Sequence, residues 1–445
     1  MAESGKLRVQ VLNENKFAPI KDAKVTITQR GETTARDEIK EIISSNDSGR
    51  TEEIYLFAPP KDNSLKPTDK EPYSTCDIMV EAEGYETLRI KGCQIFPEET
   101  ALQNCYLRAI NRESRQSEVI SIGENTLNGD YPPKIPEDPD KPLPPPASGF
   151  VVLEEPVVPE FVVVHAGVPS DTSAPNYTVP FKDYIKNVAS SEIYATWSNN
   201  AIRANIYCIL SFTLNRIYTE WYRGKGKNFD ITNSTAYDHA FTYGRNIFEN
   251  ISVVVDEIFT TYVKRWDKKQ PLLTQYCDGR KVQCPGWLTQ WGSQYLGEQG
   301  KSPYEILTHF YGTDIEFKKA KKVEGIPKSY PGYSLSLGSS GAPVRNIQTY
   351  LNSISKNFPA IPKVRVDGVY GESTQQSVKK FQEIFNLPQT GVVDYATWYK
   401  ISDVYVAVTK IAELRGNSVQ SKVFIPPTAY RNLEDVPKVE YPYDY

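Results

Sequence analysis

Val179-Pro180-Phe181-Lys182-Asp183-Tyr184-Ile185-Lys186-Asn187-Val188-Ala189-Ser190-Ser191-Glu192-Ile193 decides how the centre of this chain is read. Phe181, Ile185, Val188 and Glu192 recur at spacings of four, three and four, which is one face of an α-helix. Three of these positions are apolar and the fourth is a carboxylate. A charge on a core-facing stripe is costly unless it is paired or protonated. Burial raises a carboxyl pKa, and an acid that keeps its proton near neutral pH is what glycosidic-bond cleavage needs. The plainer alternative is a helix-end Glu that reaches solvent or pairs with a basic residue.

Outward from this helix, Glu160-Phe161-Val162-Val163-Val164-His165 predicts a strand before it, with His165 structural. Trp197-Ser198-Asn199-Asn200 breaks the pattern and offers an N-cap. A second helix is expected from about Asn200 to Thr219, with Ile202, Ile206, Ile209, Leu210, Thr213 and Ile217 on one face. The run Ile251 to Val263 fits strand or helix by period. Ser302-Pro303-Tyr304-Glu305 opens a last helix through Tyr311, with Ser302 as N-cap and Pro303 at the first helical position. Residues 151–330 thus read as a mixed α/β domain.

Residues 1–112 read as all-β. Lys6 to Leu12, Ala23 to Thr28, Ile54 to Pro59 and Cys76 to Ala82 follow strand patterns, with turn signals at Asp47-Ser48-Gly49 and Glu83-Gly84-Tyr85. Several short strands at this spacing predict a small β-sandwich. Residues 113–150 read as a linker. Eight of the fifteen residues from Pro132 to Pro146 are proline, so the segment should be extended, stiff and exposed. Arg112, Arg115 and Ala147-Ser148-Gly149 are expected protease sites. Residues 333–412 predict a compact helical unit, and 413–445 a Pro- and Tyr-rich tail.

The 445 residues carry a net charge of -4 and a pI near 5.7. No basic block stands out, so no nucleic acid is expected. The start lacks an apolar signal region, and no run of about 18 apolar residues exists, so neither a signal peptide nor a membrane span is expected. Six cysteines do not make a disulfide framework. Cys76, Cys93, Cys105 and Cys208 read as core thiols. Cys277 and Cys284 are paired or free structural thiols, or part of a metal site that draws on His239 or His309. Two thiols fall short of the four ligands of structural zinc, and neither a metal nor another cofactor is assigned. The 29 tyrosines and six tryptophans suit sugar-binding clefts, but also ordinary cores.

Three resemblances follow from these residues. Pro19-Ile20-Lys21-Asp22-Ala23-Lys24-Val25 with the two turns resembles a carboxypeptidase-regulatory or transthyretin-like sandwich, which implies a fold and no activity. Gly338-Ser339-Ser340-Gly341-Ala342-Pro343-Val344-Arg345, Asp367-Gly368-Val369-Tyr370-Gly371 and Thr390-Gly391-Val392-Val393-Asp394 closely resemble the peptidoglycan-binding-1 family, a three-helix module. Third, Ala189-Ser190-Ser191-Glu192-Ile193 and the run Tyr276 to Gly312, with Thr289-Gln290-Trp291-Gly292-Ser293 inside it, resemble the stage II sporulation protein D family of lytic transglycosylases. Ser191 replaces the second Ala and Ile193 the Met of that family's Ala-Ala-Glu-Met pattern, and Cys284-Pro285-Gly286 stands where Gly-His-Gly is common. The domain order is similar to that of the germination-specific spore cortex-lytic enzymes of clostridia.

The implied architecture is a multidomain α+β chain: an N-terminal β-sandwich pro-region, a cleavable linker, a central mixed α/β catalytic domain and a C-terminal three-helix peptidoglycan-binding domain. The implied activity is lytic transglycosylation of spore cortex peptidoglycan during germination, in the cortex or coat region. Glu192 would be the sole catalytic acid/base, and no second carboxylate is required. Gln290, Trp291, Ser293, Tyr276 and Tyr262 are the candidate sugar-binding wall. A subtilisin-like germination protease would activate the zymogen by cutting near Ser148, Gly149, Phe150, Val151 and Val152. The competing readings are a water-using muramidase and a non-catalytic wall-binding or amidase-enhancing module.

Overall fold

The computed structural model describes residues 3–14, 17–29, 39–110, 117–138, 155–282, 284, 286–325 and 327–416, with side chains to 409. The Ser148–Val152 cleavage region and the tail beyond 416 lie outside the described residues. The fold is mixed α/β with several sheets and a helical C-terminal region.

The N-terminal strands are β1 (Glu3–Asn13), β2 (Ala18–Pro19), β3 (Lys24–Gln29), β4 (Ile39–Ser44) and β5 (Ile54–Ala58). After a one-turn helix α1 (Asp62–Leu65) come β6 (Ser74–Glu81), β7 (Leu88–Ile95), β8 (Thr100–Leu107) and β9 (Glu118–Ser121). One sheet joins β2, β1, β8 and β5; the other runs β4-β3-β6-β7-β9. The β1–β8 pair is parallel, with Lys6 opposite Thr100. Alternate residues supply the shared core: Leu7, Val9 and Val11 from β1, Val25 and Ile27 from β3, Ile78 and Val80 from β6. Cys76, Cys93, Cys105 and Cys208 are all buried and free.

The central elements are β10 (Phe161–His165), β11 (Asn176–Pro180), α2 (Phe181–Glu192), α3 (Asn199–Tyr218), β12 (Ile231–Thr232), β13 (Ile247–Phe248), α4 (Glu249–Ile258) and β14 (Thr261–Arg265). They continue as β15 (Tyr276–Cys277), β16 (Leu288–Thr289), α5 (Gln290–Glu298), α6 (Pro303–Tyr311) and β17 (Ile315–Lys319). Ser198 caps α3 by accepting from the Ala201 N–H. Ser302 caps α6 in a full capping box with Glu305. The ambiguous run 251–263 divides between α4 and β14, helix first and strand after.

Two findings differ from the expected beads on a linker. Strand β13, from the middle of the chain, pairs with β8 and completes the N-terminal sheet. Strand β9, inside the segment read as linker, pairs in parallel with β7. Residues 117–138 are therefore packed against the protein rather than free in solvent. Proline forbids helix interiors and sheet centres, but it leaves an extended chain able to lie along a surface.

The C-terminal unit has α7 (Ala342–Ile354), α8 (Glu372–Ile384) and α9 (Tyr395–Gly416). Val344, Ile347, Leu351, Val378, Phe381, Trp398 and Ile401 form its core. Two glutamines hold its two turns. Gln348 Oε1 accepts from Gly368 N–H at 2.8 Å, and its Nε2 donates to the Val369 carbonyl at 3.0 Å. Gln382 does the same at Gly391 (2.8 Å) and Val392 (3.0 Å). Glycine is required at both turns, where φ is +78° and +67°.

Candidate functional site

Helix α2 was expected to be amphipathic and is instead buried on nearly every side. Its two lysines are compensated: Lys186 Nζ lies 2.7 Å from Asp256 of α4, and Lys182 Nζ 2.6 Å from Asp403 of α9. Phe181, Ile185, Val188 and Glu192 are all at most 3% exposed.

Glu192 is the last residue of α2, where the negative end of the helix dipole disfavours a second negative charge. The Ala240 N–H donates to its Oε1 at 2.5 Å. The Tyr276 hydroxyl donates to its Oε2. Burial pushes its pKa above the ordinary carboxylate value, opposed by the Lys134 ammonium, the Tyr276 hydroxyl and the Ala240 N–H. No basic side chain forms an ion pair with it among the described residues. The open carbonyls at the helix end are satisfied in turn. Gln290 Nε2 donates to the Glu192 carbonyl at 2.9 Å. Asn125 Nδ2 donates to the Ile193 carbonyl at 3.1 Å, and Thr126 N–H to the Ser191 carbonyl at 2.9 Å.

Glu192 faces a cavity of about 70 Å³ with Tyr276, Gln290, Asp238, Asp278 and Lys134 in its wall. Asp238 is fully buried and saturated: it accepts from Arg216 Nε (2.8 Å), Tyr222 (2.7 Å) and the Thr232 N–H (2.9 Å) and hydroxyl (2.7 Å). Asp278 accepts from the Lys281 and Val282 N–H groups at 2.6 and 3.0 Å. His239 is buried between Phe212 and Tyr276 and meets the Tyr184 hydroxyl through Nδ1 at 3.0 Å. Burial, with Lys134 and Arg216 nearby, pushes its pKa well down, so it is neutral. The loop Thr235 to Ala240 thus supplies site residues that no periodicity marks.

Of the five expected wall residues, Tyr276 and Gln290 meet Glu192. The other three are elsewhere. Ser293 is fully buried, donating to the Gln290 carbonyl (2.6 Å) and accepting from Asn205 (2.7 Å). Trp291 packs on Tyr194 and Trp197 at ring separations of 5.8 and 5.1 Å. Tyr262 is 3% exposed on β14, packed against α3. Each anchors the core that places Gln290 rather than the cavity itself. The glycine at 292 reflects close packing: a Cβ there would sit 2.2 Å from Thr289 Oγ1. Cys277 and Cys284 form a disulfide that closes the loop carrying Asp278, Lys281 and Val282. His165 stacks on Phe229 and bonds Asn176 at 2.8 Å, a structural position. Among the described residues, no group of three or more His, Cys, Asp or Glu is placed to hold a metal, and no helix is long and apolar enough to cross a membrane.

Residues 340–401 match the family described as "Putative peptidoglycan binding domain". This match supports peptidoglycan as a partner of the chain. No curated protein matches the sequence. Among solved structures, the SleB N-terminal domain aligns at 26% identity over 17% of this chain and 99% of its own, with a TM-score of 0.15. A 3-chlorocatechol 1,2-dioxygenase from Rhodococcus opacus 1CP aligns at 14% identity over 25% and 61%, TM-score 0.18. The minor pilin GBS52 of Streptococcus agalactiae aligns at 10% over 26% and 50%, TM-score 0.16. Likenesses this low carry no functional argument.

Proposed function

We propose that the chain is a peptidoglycan lytic transglycosylase of the bacterial spore, stored as a precursor, that cleaves cortex glycan strands during germination. The observation that carries this reading is Glu192, a buried carboxylate in no ion pair among the described residues, facing a small cavity, in a chain that also carries a peptidoglycan-binding match. The sequence motifs around Glu192 and Gln290 support it.

In this reading protonated Glu192 gives its proton to the oxygen leaving from the β-1,4 bond between muramic acid and glucosamine. The resulting carboxylate takes the proton of the muramic 6-hydroxyl, whose oxygen attacks the anomeric carbon. A 1,6-anhydro ring closes, and Glu192 ends as it began, so atoms and protons balance without water. General acid–base help of this kind contributes ~10²–10⁴ in rate. Tyr276 and the Ala240 N–H orient the carboxyl. A subtilisin-like protease cutting near Ser148–Val152 would activate the precursor.

Asp278 favours a second reading, because a carboxylate in the same cavity is where an inverting hydrolase keeps its base. Linker-cut protein acting on cortex peptidoglycan separates the two by product mass. Anhydro-muramic ends are expected; reducing ends would establish the water-using route. Glu192→Gln should abolish release, and retained release of muropeptides would sink both.

A further inference from the structure

Residues 117–138 do more than connect. After β9, Asn125 and Thr126 cap the end of α2, and the chain then crosses the mouth of the Glu192 cavity, where Gly129, Tyr131 and Lys134 form part of the wall. The outer side of residues 131–136 is mostly exposed, so the segment lies as a strap on the surface. Lys134 is half-buried, with its stem outward and its ammonium inward. That ammonium donates to the Asp238 carbonyl and sits 5.0 Å from the Tyr276 ring and 4.8 Å from the Phe212 ring. Tyr276 is the residue that holds the Glu192 carboxyl.

The far end of the strap is pinned as firmly. The Ile135 N–H donates to the Ala236 carbonyl at 2.7 Å. Gln275 bonds both backbone groups of Glu137, accepting from its N–H at 2.8 Å and donating to its carbonyl at 2.6 Å. The Glu137 carboxylate takes a two-pronged contact from buried Arg216, at 3.0 and 2.5 Å. At the near end, Lys281 donates to the Asn128 and Gly129 carbonyls at 2.7 and 2.8 Å. With the strap in place the space at Glu192 is about 70 Å³, and Gly129, Tyr131 and Lys134 stand in its wall where a glycan would have to approach the carboxyl.

We infer that residues 128–138 are an autoinhibitory strap whose Lys134 plugs the Glu192 cavity, and that cutting the chain beyond residue 138 releases it. This inference rests on the reading of Glu192 as the catalytic acid. An intact chain holds the strap at both ends, so displacing it requires breaking several anchors together. A cut leaves it tethered at one end, and a glycan competes with it on better terms. The ammonium also opposes the chemistry: beside Glu192 it favours the carboxylate, the wrong form for the acid step.

The test uses the full chain, uncut and cut within 139–154. Uncut Lys134→Ala should solubilise cortex peptidoglycan about tenfold faster than the uncut parent, since a charge-assisted anchor is lost. If uncut Lys134→Ala is as silent as the uncut parent while the cut parent is active, the plug is overturned. Amide hydrogen exchange over residues 128–138 gives a readout without turnover. Exchange at Ile135 and Glu137 should rise about tenfold on cutting; unchanged protection overturns the release step, even if Glu192 proves catalytic. A cut Glu192→Gln protein with parental activity would instead remove the reading beneath the inference and leave the exchange result standing.

Discussion

A single hydroxyl, that of Tyr276, holds the Glu192 carboxyl. Tyr276 donates to the carboxylate and thereby favours its ionised form, against the larger effect of burial, which favours the acid. Removing that bond with Tyr276→Phe leaves the ring stack on His239 in place. The carboxyl then holds its proton to a higher pH. In linker-cut protein the alkaline limb of the pH–rate profile should move to higher pH. The maximal rate should fall about tenfold, because the acid loses its orientation. A profile that stays in place, at any rate, counts against Tyr276 acting on the Glu192 proton. The sequence made Glu192 legible because a carboxylate interrupts an apolar stripe. Tyr276 was legible only through its place in a motif. Asp238 was not legible at all: it sits in a loop whose residues follow no period, and the cavity brings it to Glu192 through contacts remote in sequence. His239 stood out only as a possible metal ligand, and it is buried behind Tyr276 instead. Trp291 and Tyr262 show the converse limit, since ring chemistry alone does not distinguish a cleft wall from a core.

The elements were easier to read where local chemistry fixes them. Ser198 and Ser302 cap the helices their spacing predicts, because a side-chain oxygen satisfies an open N–H at the first turn. The two glycine turns of the C-terminal unit were equally legible. What the sequence hid is that Gln348 and Gln382, one from α7 and one from α8, hold those turns with the same pair of bonds. Both side chains are at most 1% exposed. Gln382→Ala therefore leaves the Gly391 N–H and the Val392 carbonyl unpaired inside the unit, at a cost of about 2–3 kcal/mol. Thermal melting should show the C-terminal unit unfolding earlier, and co-sedimentation with insoluble peptidoglycan should weaken in step. Melting that matches the parent would show that the turns hold without the glutamine.

At the scale of the whole molecule, the expected pro-region is built into its neighbours rather than hung from them. The two-residue β13 completes its sheet, a join no local pattern announces because two residues carry no alternation. Phe96 sits among Tyr73, Tyr194 and Phe248 at ring separations of 5.2, 5.3 and 5.1 Å. A buried polar net crosses the same junction. Arg245 donates to Gln94 at 2.8 Å and to Ser191 at 2.7 Å, and Gln94 and Asn246 exchange backbone-to-side-chain bonds at 3.1 and 3.0 Å. On the outer face of β1, Arg8 bonds Glu53 at 2.7 Å, Glu249 at 3.2 Å and Asn386 at 2.9 Å, touching three parts of the chain. Cutting within 139–154 severs none of these contacts. The two pieces should therefore elute together in gel filtration at physiological salt and separate only in denaturant. Phe96→Ala, which removes ~3–5 kcal/mol of packing from the junction, should let the cut pieces part at lower urea than the parent. Separate elution of the parent pieces in native buffer would mean that the junction is too weak to outlast the peptide bond. Activation would then require departure of the whole N-terminal unit, rather than release of the strap alone.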